Sequence, residues 1–240
     1  MTEKRYSWFL ILLFLCLALG IVIKTVQYNL SINTFAESST FPVIVIDAGH
    51  GGEDGGASTA DGMAESHINL EISKRLEYML ALTGIKPFML RTEDTALYSG
   101  PCTSYSEKKS SDLKNRVNMV NGIPNAVLIS IHQNYFPEEK YSGAQVFYAP
   151  TTGSKKFAEM TQESLRISLS ANNQRKIKPA DSVFLMNKVQ CSAILVECGF
   201  LSNTKEAQLL QNPIYQKKLV CGICAAAGKY LEGEKGPNEI

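Results

Sequence analysis

Residues 43–50 read VIVIDAGH, and this stretch decides the fold. Its run of β-branched residues stops before Gly49, which predicts a strand, Val43–Asp47, that is buried on both faces. Such strands are typical of sheets that helices cover on two sides. A histidine, His50, follows at once. The stretch therefore predicts a buried strand with a metal-binding or catalytic type of side chain just beyond its carboxyl end.

Further predicted strands alternate with predicted helices along the rest of the chain. The other strands are expected at Lys86–Arg91, Ala126–Ile131, Gln145–Tyr148, Val183–Met186 and Ala193–Glu197. Helices are expected at Glu65–Leu82, Asp112–Val120, Ser154–Leu169, Lys205–Gln211 and Gln216–Leu231. Residues 92–111 form a long expected loop, with Ser111 or Asp112 capping the helix after it. This alternation predicts a single α/β domain with helices on both faces of its sheet.

The N-terminal residues have the pattern of an export signal. Lys4 and Arg5 precede an apolar run, residues 8–23, that contains no charge. We expect residues 1–26 to be an uncleaved signal anchor, with a cleaved signal as the alternative. Positive charge before the run predicts that the main domain lies outside the cytoplasmic membrane. The domain plan is then an anchor at 1–26, a linker at 27–40, a catalytic domain at 41–232 and a tail at 233–240.

Composition excludes some functions and leaves the cysteines without a clear role. The 24 basic and 23 acidic residues nearly cancel, so no basic excess suggests a nucleic-acid partner.

The six cysteines have no spacing that indicates a disulfide framework. Cys221 and Cys224 resemble a redox or zinc pair in form, but no second pair of ligands accompanies them. We therefore expect them to be buried apolar thiols.

Two histidines stand at equivalent places in the predicted sheet. His50 follows the first strand and His132 follows the strand Ala126–Ile131. Open α/β sheets bind ligands beyond the carboxyl ends of their strands, so these imidazoles can meet in one cleft. Glu65 begins a helix just past the glycine-rich loop, and Glu197 ends an apolar strand, where its charge needs a compensating partner.

These four side chains match the parts of a catalytic zinc site in number and type. Two histidines and one carboxylate leave a coordination position open for water, whereas structural zinc sites fill all four positions with protein. Zinc lowers the pKa of the bound water and polarises a carbonyl. A further glutamate outside the coordination shell can then take the water's proton and pass it to a leaving amine.

Three ordered motifs resemble the zinc-dependent N-acetylmuramoyl-L-alanine amidases of bacterial cell walls. They are residues 44–57 (IVIDAGHGGEDGGA), 129–134 (ISIHQN) and 196–203 (VECGFLSN), supported by residues 91–94 (RTED), Leu113 and Arg116. The resemblance implies one zinc ion bound by His50, Glu65 and His132, with Glu197 as the catalytic carboxylate. It also implies a twisted, mostly parallel six-stranded sheet and cleavage of the bond between muramic acid and L-alanine in peptidoglycan. Ala48 and Gln133 depart from the family's usual proline and alanine.

Finer features resemble the germination-specific, spore-cortex subgroup of that family. They are the segments Tyr105–Lys109 and Tyr141–Gln145 and a short chain with an N-terminal anchor. The subgroup helps to make muramic-δ-lactam by removing the stem peptide. The expected substrate is thus cortex peptidoglycan, the expected location is the outer face of the cytoplasmic membrane or the forespore intermembrane space, and an accessory protein at the spore envelope is an expected partner.

The remaining candidates each have a functional and a simpler interpretation. Asp47 and Asn134 either orient the histidines or cap turns. Arg116 either binds a substrate carboxylate or pairs with a helix neighbour, and we favour the pairing. His67 is two positions from Glu65 on its helix and so on another face, which favours a partly exposed histidine. The basic residues 175–178 are most simply a solvated loop.

Two other functions also fit the sequence. One is an inactive, metal-free peptidoglycan binder with the same fold, although such a protein does not need Glu197. The other is a zinc peptidase acting on stem peptides, which only the family resemblance argues against. The sequence therefore favours a hydrolase that uses zinc-activated water.

Overall fold

The computed structural model describes residues 18–20, 22, 24 and 42–234. The chain divides into two units, Met1–Phe41 and Pro42–Ile240. In the first unit, residues 18–20, 22 and 24 are helical. Most of the predicted anchor, the predicted linker at 27–40 and most of the tail lie outside the described residues. Within the described part of the chain, no helix is long and apolar enough to cross a membrane.

The second unit contains six strands and six helices among its described residues. The strands are β1 (Val43–Ala48), β2 (Pro87–Met89), β3 (Ala126–Asn134), β4 (Gln145–Tyr148), β5 (Lys178–Pro179) and β6 (Ser192–Phe200). The helices are α1 (Glu65–Leu82), α2 (Tyr105–Asn121), α3 (Ser154–Leu169), α4 (Phe184–Lys188), α5 (Thr204–Gln211) and α6 (Pro213–Glu234).

The strands form one mixed sheet in the order β2-β1-β3-β6-β4-β5. Neighbouring strands run parallel except β4, which is antiparallel to β6. Two apolar cores cover the sheet: α1, α3, α5 and α6 pack on one face, and α2 and α4 pack on the other. Residues of β1 are buried along its whole length, as its continuous β-branched run predicts. The predicted fold class is confirmed.

Helix α2 begins seven residues before its predicted start. Ser104 and Glu107 form a capping box, in which the Ser104 side chain accepts from the Glu107 N–H and the Glu107 side chain accepts from the Ser104 N–H. The helix buries only Arg116 and Val120, so apolar periodicity does not reveal its first two turns. The prediction of a loop up to residue 111 is therefore wrong, although the Ser-x-x-Glu pattern marks the true start.

The predicted strand Val183–Met186 is also wrong. These residues enter α4, which buries Leu185 and Met186, and the sixth strand is the short β5 instead. A four-residue apolar run fits a strand and one helical turn equally well. Strand β2 is shorter than its predicted range of Lys86–Arg91.

The expectation of two buried thiols in the last helix is half correct. Cys224 is buried and Cys221 is exposed. Residues three apart on a helix do not point in the same direction. On α6, Cys224 therefore lies on the buried side and Cys221 lies just outside it.

Candidate metal centre

The carboxyl ends of three adjacent strands build the candidate site. In the register of β1 and β3, Ala48 lies beside Ile131, so the residues that follow each strand share one edge of the sheet. In the register of β3 and β6, His132 lies beside Glu197. Helix α1 starts at Glu65 after the glycine-rich loop returns to this edge. Parallel strand order thus brings together residues that are far apart in sequence.

Three of these side chains form a compact cluster. His50 Nε2 lies 3.3 Å from Glu65 Oε2, and His132 Nδ1 lies 3.0 Å from Glu65 Oε1. The two imidazole rings meet edge to face, with centroids 5.0 Å apart. One ligand atom from each residue lies within 4.8 Å of the others, which is close enough to hold a metal ion. Among the described residues, this is the one such group of histidine, cysteine and acidic side chains.

Two glycines leave the space that the cluster side chains occupy. A Cβ atom at Gly49 would lie 2.2 Å from His132 Nε2, and one at Gly56 would lie 2.5 Å from Glu65 Oε2 and 2.8 Å from His50 Cδ2. Any larger residue at either position would therefore displace a cluster side chain. His50 itself has a φ of 60°, a backbone conformation that is uncommon outside glycine and that clusters at functional sites.

Charge within the cluster shifts the pKa values of Glu65 and His50. Burial raises the pKa of Glu65, but the hydrogen bonds and charges of His132 and His50 outweigh it and hold that pKa well below its usual range. Burial lowers the pKa of His50, yet the carboxylates of Asp54 and Glu65 raise it to about 9. Without a metal ion, the cluster therefore holds an ionised Glu65 beside a protonated His50 at neutral pH.

Glu197 has a different environment from Glu65. Burial raises the pKa of Glu197 to about 7, the charge of Glu65 adds to this, and the charges of His132 and His50 oppose it. Its Oε2 atom is buried and has no hydrogen-bond partner among the described residues. A carboxyl group with a pKa near neutrality and an unused oxygen beside the cluster is suited to exchange protons.

A loop residue that the sequence analysis overlooked supports His50. The Asp54 carboxylate lies 3.0 Å from His50 Nδ1, at ion-pair distance but without hydrogen-bond geometry, and 3.2 Å from Lys109 Nζ. Lys108, which precedes Lys109 on α2, pairs with Glu53 at 2.8 Å. The early start of α2 therefore places two lysines against the loop that carries His50. The GGxD pattern after His50 is the signal that identifies Asp54.

Asp47 and Arg116 lie beneath the cluster and are both buried. Arg116 pairs with Asp47 and with its helix neighbour Asp112, and it donates hydrogen bonds to the carbonyls of Ala48 (3.0 Å) and His50 (2.7 Å). Asp47 also accepts from the Ser130 hydroxyl at 2.7 Å. Arg116 is thus engaged in fixing the turn that ends at His50, and Asp47 acts on that turn through Arg116 instead of touching an imidazole.

The other sequence candidates lie at the rim. The carbonyl of Asn134 accepts a hydrogen bond from the Leu201 N–H at 2.8 Å, which links the ends of β3 and β6. The Asn134 side chain makes no hydrogen bond to either imidazole within residues 42–234. His67 is 53% exposed and lies 2.8 Å from Asp94, so it faces away from the cluster as expected.

Three further residues hold the cluster in place; the sequence motifs include Arg91 and Gln133, but none of the three was given this role from the sequence. Asn69 Nδ2 donates to the Gly49 carbonyl at 3.1 Å and to Glu65 Oε1 at 3.2 Å. The Gln133 N–H donates to Glu65 Oε1 at 3.0 Å. Arg91 is buried and donates to the carbonyls of Ala48 and Gly49. These roles depend on tertiary contacts, so residue type and spacing gave no signal for them.

The residues present fit a zinc ion. Nitrogen and carboxylate ligands lie 2.0–2.2 Å from zinc, so two ligand atoms on one tetrahedral ion lie about 3.3 Å apart. The contacts of the two imidazoles with Glu65 have this spacing, one through each carboxylate oxygen: 3.3 Å from His50 to Oε2 and 3.0 Å from His132 to Oε1. A carboxylate near the other ring nitrogen, as Asp54 is for His50, is the usual support of a metal-binding histidine.

Comparisons with known proteins agree with this geometry. A family model described as N-acetylmuramoyl-L-alanine amidase matches residues 44–229. The germination-specific N-acetylmuramoyl-L-alanine amidase of Bacillus subtilis is 35% identical over an alignment of 248 positions, which spans 99% of this chain and 100% of that protein. The amidase LytC of the same species is 30% identical over 75% of this chain, which corresponds to 34% of LytC.

Solved structures resemble this chain as well. The CwlD amidase from Clostridioides difficile, solved in complex with the GerS lipoprotein, is 35% identical, with a TM-score of 0.77 over 80% of this chain and 99% of that one. An N-acetylmuramoyl-L-alanine amidase from Clostridium difficile 630 is 30% identical, with a TM-score of 0.71 over 82% of this chain and all of that one. The chain therefore belongs to the N-acetylmuramoyl-L-alanine amidase family.

Proposed function

We propose that the protein is a zinc-dependent amidase that hydrolyses the bond between muramic acid and L-alanine in peptidoglycan. The observation that carries this proposal is the cluster of His50, Glu65 and His132 with Glu197 unpaired beside it. Family membership supports the amide as the bond that is cut. The unpaired Glu197 argues against a metal-free binder, because burying an unused carboxyl group is costly and binding alone does not require it.

The residues of the cluster have separate roles in this proposal. His50, Glu65 and His132 hold the ion and keep it at the carboxyl edge of the sheet. Bound zinc lowers the pKa of water and polarises the scissile carbonyl. Glu197 takes a proton from the attacking water and gives it to the leaving amine of L-alanine, for which a pKa near neutrality is suited.

The proposed setting is the spore cortex, outside the cytoplasmic membrane. The 35% identity to a germination-specific amidase over the full length of both chains supports this setting. An accessory lipoprotein is the proposed partner, since the CwlD amidase was solved with the GerS lipoprotein. Attachment through an N-terminal anchor is proposed from the basic and apolar residues 4–23.

The experiment that tests the function is incubation of zinc-loaded full-length protein with purified cortex and vegetative peptidoglycan, followed by mass spectrometry of the products. Free stem peptides that begin with L-alanine, together with glycan that has lost its peptide, are expected. Cleavage within the stem peptide would instead identify a zinc peptidase. Binding to peptidoglycan without any product from either substrate would identify an inactive binder.

A further inference from the structure

A polar cavity of about 510 Å³ opens beside the candidate active site. It lies between the segment that leads into β4 and the loop that follows α3. The residues of its wall that carry the argument are Lys140, Tyr141, Ser142, Asn172, Gln174 and Arg175. Three residues of this wall, Tyr141, Ser142 and Gly143, belong to the segment Tyr141–Gln145. Arg175 belongs to the basic loop 175–178, which was expected only to be solvated.

The cavity is next to the catalytic edge of the sheet. Gln145 is the register partner of Glu197 across β4 and β6, and Arg175 Nη1 donates to Gln145 Oε1 at 3.0 Å. Phe200, over which the Arg175 guanidinium lies at 4.4 Å, is three residues beyond Glu197 on β6. At a rise of about 3.3 Å per residue, Phe200 is roughly 10 Å from Glu197. Two side chains of the cavity wall, Arg175 and Tyr141, therefore contact β6 at a point roughly 10 Å from Glu197.

Aromatic side chains form one side of this region. Tyr141 meets Phe136 edge to face with centroids 4.8 Å apart, and it stacks with Phe200 at 6.3 Å. Phe136 remains 44% exposed at the rim. Flat aromatic faces at the edge of a polar pocket are suited to the apolar C–H face of a sugar ring.

The polar groups of the wall divide into those that are engaged and those that are free. Asn173 Nδ2 donates to the Ala144 carbonyl at 2.8 Å, and Glu206 accepts from the N–H groups of Gly143 and Phe200, both at 2.8 Å. These bonds fix the shape of the wall. Within residues 42–234, the side chains of Ser142, Asn172 and Gln174 make no hydrogen bond. Free hydroxyl and amide groups in a fixed wall match the hydroxyl and acetamido groups of an N-acetylated sugar.

Charge favours a neutral ligand over the anionic stem peptide. Lys140 pairs with Glu138, and Arg175 is held by the Ser142 carbonyl at 2.7 Å, by Gln145 and by the face of Phe200. The cations of the wall are therefore already engaged, and Glu206 adds an acidic group to the same wall.

We propose that this cavity is a subsite for the N-acetylated glycan strand, next to the muramic acid whose amide is cut. This inference rests on the proposed function for its choice of substrate. The Lys140 ammonium, on a side chain that is 67% exposed, lies over the Tyr141 ring at 5.2 Å. In this proposal a sugar ring displaces that ammonium and stacks on Tyr141, while Asn172 and Gln174 bond the polar substituents of the sugar.

The test is binding of N-acetylchitotetraose, a neutral N-acetylated glycan without a peptide, to the full-length protein by saturation-transfer NMR titration. The wild-type protein is expected to bind it. Tyr141→Ala should weaken binding about two- to tenfold, the value expected for one lost ring contact. Gln174→Ala changes an exposed side chain without internal bonds and should weaken binding about two- to fivefold. Tyr78→Ala, which removes a tyrosine that is 67% exposed on α1, is the matched control and should bind normally.

The outcomes separate this inference from the proposed function. Absence of tetrasaccharide binding, or equal weakening in the Tyr78→Ala control, overturns the subsite even if peptidoglycan is hydrolysed. Glycan binding that Tyr141→Ala and Gln174→Ala both weaken supports the subsite even if no amide is cut, since the tetrasaccharide has no muramoyl amide. With peptidoglycan as substrate, Gln174→Ala should raise KM and leave kcat unchanged, and the reverse result contradicts a binding role.

Discussion

His132 Nδ1 lies 3.0 Å from Glu65 Oε1, although 67 residues separate the two in sequence. The contact exists because β1 and β3 are parallel neighbours and α1 begins where the loop after β1 returns to their shared edge. The same carboxylate reaches His50 with its other oxygen. Glu65 therefore joins the two imidazoles of the cluster. Its two contacts explain its own low pKa, and together with Asp54 it raises the pKa of His50.

Removing a cluster histidine should remove the metal. In His50→Ala or His132→Ala, only two ligands remain. Loss of a residue that merely supports a ligand lowers metal affinity about 10- to 100-fold, so loss of a ligand itself should lower zinc affinity at least about 100-fold. Elemental analysis of the purified protein and competition with a chelator measure this loss.

The chain offers its own control for that experiment. His67 also contacts a carboxylate, that of Asp94, but it is 53% exposed and outside the cluster. His67→Ala should keep a full complement of zinc. Equal zinc loss in all three variants would mean that the effect is a general one on folding, and normal zinc content in His50→Ala would refute the proposed ligand set.

Glu197→Gln should separate metal binding from turnover. The amide retains the size of the side chain but cannot accept the proton of water, so the rate should fall about 100- to 10,000-fold. Zinc content should not change, because Glu197 is not part of the cluster of three possible ligands. Mass spectrometry of released stem peptides gives the rate, and activity close to that of the wild-type protein would disprove a proton-transfer role.

Zinc binding should release protons and strengthen with pH. In the metal-free protein the pKa of His50 is raised to about 9, so this imidazole carries a proton at pH 7 that it must lose to bind the ion. Apparent zinc affinity should therefore rise about tenfold per pH unit until the pH reaches about 9. Titration calorimetry in two buffers of different ionisation enthalpy counts the protons released.

Asp54→Asn tests the cause of this pH dependence. Its carboxylate helps to raise the pKa of His50, so the amide should lower that pKa and bring the plateau in affinity to a lower pH. The imidazole signals of the metal-free protein in NMR report the same pKa directly. An unchanged pKa in Asp54→Asn, or no proton release in the wild-type protein, would contradict this account.

The sequence predicted best where one local signal carried the information. The continuous β-branched run of β1 could be read as a buried strand, and the strand-end positions of His50 and His132 placed them in one cleft. The start of α1 at Glu65 was also predicted to the residue. Each of these rests on periodicity or on the geometry of parallel sheets, which do not depend on the details of packing.

The sequence predicted less well where local signals were absent or ambiguous. The first turns of α2 bury almost nothing, so only the capping box marked them, and Val183–Met186 is too short for its periodicity to distinguish a turn of helix from a strand. Asn69 and Gln133 support Glu65 through contacts that form only after α1 has packed on β3. The cavity at Arg175 likewise depends on how two loops meet.

Arg116→Met should destabilise the fold more than the loss of any exposed ion pair. Arg116 is 2% exposed and pairs with Asp47, which is 1% exposed, so the substitution leaves a buried carboxylate without its cation. Breaking a buried pair in this way costs about 3–5 kcal/mol, whereas an exposed pair contributes about 0–1 kcal/mol. Arg166→Met is the matched control, since Arg166 pairs with Glu163 on α3, where the two side chains are 37% and 56% exposed. Urea unfolding of the metal-free proteins measures both free energies, and equal losses in the two variants would contradict the role of Arg116 as the buried support of the turn that carries His50.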